Sequence, residues 1–240
     1  MSDTEQRLQE LARGVEAGLG DQLVSLLLYG SLARGGAADG RSDVNLLLIV
    51  KDASPAVLRR AAGPLAAWAR AGLRPPPIHS ETEWREAADV FPVEMDDIRE
   101  AHRLLAGSDP TIGVTTHPED VRRELERETR GVLARLRAAW ASVGQEGPSL
   151  EELLQSSLGT VLVLLRAAVR LQGSKPAAAP GEVIRQAAGI CGFDPSAFTW
   201  ALAARSGSAP RRLAAFDAEA TKYLVAVEQF SNWLNNRQEA

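Results

Sequence analysis

Apolar residues recur along this chain in two rhythms, and the change between them divides it into halves. Near the start, Leu8, Leu11, Val15 and Leu19 fall three or four apart, the spacing of one buried helix face. Gly18 and Gly20 close that pattern. Residues 23–29 (LVSLLLY) and 44–50 (VNLLLIV) are instead almost unbroken apolar runs, which predict buried strands. Between them lies a Gly- and Ala-rich stretch, 35–41, with the turn signal Asp39-Gly40. Ser54 followed by Pro55 predicts the start of a helix that runs to about residue 71 and ends before Pro75-Pro76-Pro77. Residues 78–80 (IHS) predict a short edge strand, after which Ser80 or Thr82 caps a short helix through Trp84. Residues 90–95 (VFPVEM) predict a further strand, at an edge or irregular because of Pro92. Asp96 and Asp97 read as the start and cap of a helix. Strands alternating with helices predict an α/β (α+β) domain with a small mixed sheet.

From residue 118 the rhythm is helical throughout. Val121, Leu125, Val132, Leu136 and Trp140 form one stripe over 118–141. Ser149-Leu-Glu-Glu has the form of a helix start, for a helix to residue 171. Residues 181–192 and 195–205 predict shorter helices. Phe216, Ala220, Tyr223, Val227, Phe230 and Leu234 predict a long, narrow buried seam on the last helix. These segments predict an all-α antiparallel helical bundle. The turn formers in 107–117 (GSDPTIGVTTH) place the boundary, giving domains 1–112 and 113–240.

Composition narrows the function classes. A length of 240 residues suits one large or two small domains, on a guide of roughly 100–200 residues each. The formal net charge of −4 and the 5% aromatic content give no strong nucleic-acid signal. One cysteine, Cys191, makes neither an internal disulfide nor a thiolate metal site. The N-terminal MSDTEQRLQE is charged and unlike a signal peptide. The apolar stretch 158–169, interrupted by Arg166, falls short of the roughly 18 residues of a span. A cytoplasmic protein without a membrane partner is expected.

Candidate chemistry gathers in YGSLARGGAADGRSDVNLLLIV, residues 29–50. Gly30 lets a phosphate approach the backbone and Ser31 offers a hydroxyl, although Gly-Ser after a strand also reads as a simple turn. Asp43 and Asn45, two apart on a strand, share a face and offer oxygens of the kind Mg²⁺ prefers. The plain alternative is a strand start and an exposed amide. Glu94, an acid between Val93 and Met95, is a candidate third ligand and general base, or a solvent-facing edge residue. Arg34 and Arg41 are candidate phosphate contacts or solvated loop charges. His79, His102 and His117 are too scattered for a metal cluster, and His102 reads as a packing residue with its polar atoms satisfied.

Tyr29-Gly30-Ser31, eleven residues, then Asp43-Val44-Asn45, with a later acid, resembles the nucleotidyltransferase superfamily to which kanamycin nucleotidyltransferase belongs. FPVEMDDIREAHRLLAG resembles a bacterial subgroup in which that fold precedes a helical domain. The motif resemblance covers residues 23–107, and the helical half matches only in layout. The resemblance implies transfer of a nucleoside monophosphate from a nucleoside triphosphate, ATP first among them, to an unnamed acceptor. It implies that Gly30 and Ser31 bind the phosphates. Asp43, Asn45 and Glu94 would ligate Mg²⁺ or Mn²⁺, and Asp43 and Glu94 would be catalytic. Asn45 departs from the family's Asp-x-Asp. An amide keeps an oxygen ligand and loses a negative charge, so weakened activity is expected. The alternative is a catalytically inactive nucleotide-binding or partner-binding module on the same fold, with a homodimer through the helical domain as a further possibility.

Overall fold

The computed structural model of the chain describes residues 3–35, 44–142, 150–208, 211–214 and 216–236. It divides into two compact units, Met1–Thr116 and His117–Ala240.

The first unit is built on a four-stranded mixed sheet of order β3-β2-β1-β4. Its central strands, β1 (Leu23–Tyr29) and β2 (Asn45–Val50), are antiparallel, with Leu27 opposite Leu47 and Tyr29 opposite Asn45. β3 (Ile78–Ser80) runs parallel to β2, and β4 (His102–Gly107) is antiparallel to β1. Both faces of the central pair are covered, which is why their sequences lack polar alternation. One face carries Leu26, Leu28, Leu46, Leu48 and Val50 under α1 (Asp3–Leu19) and α2 (Pro55–Arg70). Leu8, Leu11, Val15 and Leu19 of α1 are all buried there, as their spacing predicts. The other face carries Leu27, Leu47 and Ile49 against Trp84 of α3 (Glu81–Glu86) and Met95 and Ile98 of α4 (Pro92–Glu100). Ser80 caps α3 with a reciprocal Ser80–Glu83 pair that satisfies two backbone N–H groups at the helix start.

Two expectations fail here. Residues 90–95 are not a strand: Glu94 lies in the first turn of α4. Pro92 occupies a helix-start position, where its missing N–H costs nothing. The alternation around Glu94 is too short to separate a period of two from one of 3.6. Met95 and Ile98 reach the core at helical spacing. Asp96 and Asp97 are therefore interior helix residues and not its cap. The remaining strand is β4, so His102 sits in the sheet, opposite Tyr29. Its ring is satisfied, with Nδ1 2.9 Å from the Ile98 carbonyl and Nε2 3.4 Å from Asp109 Oδ2.

Residues 110–116 belong to this unit. The Trp84 indole donates to the Pro110 carbonyl (2.9 Å), Val114 packs on the α3–α4 face, and the Thr116 hydroxyl donates to Asp96 (2.7 Å).

The second unit is helical: α5 (Pro118–Ala141), α6 (Leu150–Leu171), α7 (Pro180–Cys191), α8 (Thr199–Arg205) and α9 (Ala218–Asn236). Tyr223, Val227, Phe230 and Leu234 of α9 are buried as the seam requires. Phe216 is not part of it; it precedes α9, has φ 59 and is 64% exposed, with its ring edge-on to Trp140. By length and composition α6 is apolar enough to cross a membrane, contrary to the shorter stretch read from the sequence. Its apolar residues, from Leu154 to Val169, form the buried face of a helix packed on α5 and α7.

Candidate functional site

The site begins where β1 ends. Tyr29 is its last residue, and Gly30 turns the chain with φ 79. That left-handed conformation favours glycine, and the space above it does too. A Cβ added to Gly30 would lie 2.8 Å from the Asn45 side-chain nitrogen. The Asn45 amide therefore packs over Gly30, and no side chain fits between them. The described part of the following loop, 31–35, is turn and not helix, closed by Arg34 N–H to the Gly30 carbonyl (3.3 Å).

Arg34 holds this loop to α4. Its Nη2 lies 2.9 Å from Asp97 Oδ1 and its Nη1 3.1 Å from Oδ2, while Nη2 also donates to the Asp97 carbonyl (3.0 Å). The two side chains are 6% and 4% exposed. Arg34 is thus an internal clamp, which excludes its reading as a solvated loop charge. A fork-on-fork pair fixes orientation as well as distance.

Tyr29, Asn45 and Glu94 share one end of one sheet face. Tyr29 and Asn45 are paired across β1 and β2, so their side chains leave on the same side, that of Leu27 and Leu47. The Tyr29 hydroxyl donates to Glu94 Oε1 at 2.7 Å. Burial, reinforced by the facing Glu94 carboxylate, pushes the Tyr29 phenol up, so it remains a neutral donor. Glu94 is exposed, and its second oxygen has no hydrogen bond among the described residues.

Of the sequence candidates, Gly30 and Asn45 are in contact, Ser31 is next in the loop, and Glu94 reaches the same sheet end through Tyr29, the strand partner of Asn45. Asp43 and Arg41 lie outside the described residues, as does the Asp39-Gly40 turn. The three histidines are apart: His79 on β3 and His102 on β4 occupy opposite edges of the sheet, and His117 precedes α5 in the second unit. Neither β3 nor β4 carries an acid, and Glu94 stands on a helix and not on a strand. Among the described residues no group of three or more His, Cys, Asp or Glu is placed to hold a metal. The donors present are nevertheless hard oxygens, the Glu94 carboxylate and the Asn45 amide, at one sheet end. That chemistry fits a single Mg²⁺ shared with substrate phosphates better than an all-protein cage.

Two residues escaped the sequence reading. Tyr29 was visible as the residue before Gly-Ser, but its reach to position 94 is tertiary. Asp97 gave a misleading signal, because adjacent acids read as a helix cap and not as half of a buried pair.

Beside Glu94 the same face opens into a cavity of about 230 Å³. It is floored by Leu47, Met95 and Ile98 and walled by Trp84 and Phe91, with His79 and Glu94 as its polar groups.

No protein-family model matches the chain, and no curated protein matches its sequence. Its fold is similar to that of the spectinomycin adenyltransferase AAD(9) from Enterococcus faecialis, solved with ATP and spectinomycin. The TM-score is 0.61 at 11% identity, over 96% of this chain and 99% of that one, so both units are included. The chain has a nucleotidyltransferase fold, with a mixed-sheet α/β unit followed by a helical unit.

Proposed function

We propose that the protein binds a nucleoside triphosphate, ATP first, and transfers its nucleoside monophosphate slowly to an acceptor hydroxyl. The observation that carries this reading is the Gly30 turn under Asn45, with Glu94 held at the same sheet end by Tyr29. Bare backbone at Gly30 admits a phosphate oxygen, and the adjacent Ser31 hydroxyl donates to it. Glu94 accepts the acceptor's proton, using the oxygen that Tyr29 leaves open. A bond forms from the acceptor oxygen to the α-phosphorus, the bond from that phosphorus to its bridging oxygen breaks, and pyrophosphate leaves. Asp43, Asn45 and Glu94 would hold Mg²⁺, which when bound supplies positive charge to the phosphate oxygens.

The second reading, a nucleotide-binding module without turnover, is favoured by Asn45. A neutral amide contributes no charge toward two divalent cations. The test is incubation with labelled nucleoside triphosphates and Mg²⁺ or Mn²⁺, together with calorimetry for binding. Label on a small molecule or on the protein supports transfer. Heat without label supports the binding module. No heat with ATP, GTP, CTP or UTP at millimolar concentration ends both readings. Asn45→Asp is the repair: melting temperature should rise with metal concentration more steeply than in the wild type. No gain would mean that residue 45 does not face the metal.

A further inference from the structure

The cavity beside Glu94 is not needed for packing. Trp84, Met95 and Ile98 are already buried against the sheet, yet a space of about 230 Å³ remains between α3, α4 and β2. That is more than the roughly 150 Å³ of an apolar cavity that takes benzene, and less than the ~300–1,000 Å³ of drug-sized sites. It suits one or two fused rings.

The walls are held in place before any ligand arrives. The Trp84 indole is pinned to the Pro110 carbonyl, and the His79 ring lies 6.3 Å from it at an interplanar angle of 53°. α3 is fixed by its Ser80–Glu83 cap. Phe91 lines the cavity while 42% exposed, and its neighbour Val90 is 48% exposed, so large apolar side chains meet solvent at this spot. An exposed apolar cluster of this kind marks a contact surface.

The lining also excludes chemistries. Among the described residues no Lys or Arg lines the cavity, so these walls offer no counter-charge to a triphosphate. Glu94, the one carboxylate among the described lining residues, would leave most charges of a polycation desolvated against apolar walls. What fits is a neutral ring with a single hydrogen-bond donor aimed at Glu94.

We propose that this cavity binds a compact, neutral, ring-bearing alcohol or phenol whose hydroxyl donates to Glu94. On the nucleotidyl-transfer reading, on which this clause alone rests, that hydroxyl is the acceptor. It would surrender its proton to Glu94 as its oxygen bonds to the α-phosphorus and pyrophosphate departs.

Methionine makes the test simple. The chain has 2 methionines, so methyl-labelled methionine yields signals from Met1 and Met95 only, and Met95 lines the cavity. Naphthol is titrated into the full chain, with naphthalenesulfonate as the charged control. The expected result is a saturable shift of the Met95 signal with naphthol and a much weaker response to the sulfonate. Glu94→Gln should weaken naphthol binding about tenfold, since it removes a hydrogen bond to a charged acceptor. Ala87→Leu, which fills the cavity from the end of α3, should abolish the shift. A Met95 signal that stays still at millimolar naphthol overturns the proposal, as does equal binding in wild type and Ala87→Leu. Calorimetry with ATP and Mg²⁺ on the same sample separates the two ideas. ATP heat without a Met95 shift sinks the cavity proposal alone. A Met95 shift without ATP heat sinks the transfer reading and leaves the binding proposal standing.

Discussion

The two faces of the β1–β2 pair are made by the same thirteen residues, yet they do different work. Under α1 and α2, every residue from Leu26 and Leu28 to Leu46, Leu48 and Val50 is apolar and dry. On the other side, Leu27, Leu47 and Ile49 give way toward one end to Tyr29 and Asn45, and the covering helix adds Glu94. One face serves folding alone. The other divides its length between packing and a polar site with a cavity beside it. The contrast shows how little sequence change is needed to turn a strand pair into a site: two residues at one end, and a helix that does not close over them.

The sharpest way to break this comparison is at the clamp. Asp97→Ala leaves the Arg34 guanidinium buried without its carboxylate, and should cost about 3–5 kcal/mol. The fall should appear in the urea midpoint, with nucleotide affinity lost as well because the Gly30 loop is no longer held. A variant that melts like wild type would mean the loop is not anchored through Asp97.

Next is the packing face. Leu48 is wholly buried between the helices and the sheet, so Leu48→Ala should cost about 2–5 kcal/mol. Nucleotide and naphthol binding should persist in the folded fraction. If this variant loses ligand binding at temperatures where circular dichroism shows it folded, the two faces are not separable.

A smaller effect is expected at Gly30→Ala. The left-handed backbone alone costs about 1–2 kcal/mol for a residue with a Cβ. The added methyl would also displace the Asn45 side chain, so phosphate affinity should fall further than stability. Equal losses in both would sever Asn45 from the site.

The smallest change is Tyr29→Phe, which deletes one hydrogen bond to an exposed carboxylate, worth about 1.5 kcal/mol, the low end for a charged acceptor. It has a pH signature. The Tyr29 phenol is raised above its ordinary value of 10.0, so its contribution is intact below pH 10.0 and is lost as pH rises from there toward its own, higher pKa. Buried Tyr223 in the second unit behaves in the same direction. Urea midpoints from neutral to alkaline pH should therefore fall less steeply in Tyr29→Phe than in wild type. An identical slope would mean that Tyr29 is not protected by its surroundings.

Much of this was legible in the sequence, for reasons that can be named residue by residue. The α1 stripe and the α9 residues Tyr223 to Leu234 repeat often enough for their period to be unambiguous. β1 and β2 are apolar on both faces because both faces are covered, a condition that writes itself into every position. Gly30 and Asn45 could be singled out from the motif, but that the Asn45 amide lies over Gly30 follows only from the pairing of β1 with β2. Residues 90–95 could not be read, because four residues around Glu94 satisfy either period and only the docking of Met95 and Ile98 decides for the helix.

What the sequence determined by itself was the kind of element at each long periodic stretch and the presence of a glycine-serine turn before an apolar strand. Those are properties of neighbours along the chain, and short-range sterics and burial enforce them. What tertiary structure decided was which distant groups meet. Arg34 finds Asp97 across 63 positions and Tyr29 finds Glu94 across 65. Neither pairing leaves a mark in local composition, because a buried charge or a phenol reads the same in sequence whether its partner is water, a substrate or another side chain. Only the packing of α4 on the sheet brings those partners within hydrogen-bond reach, and with them the site.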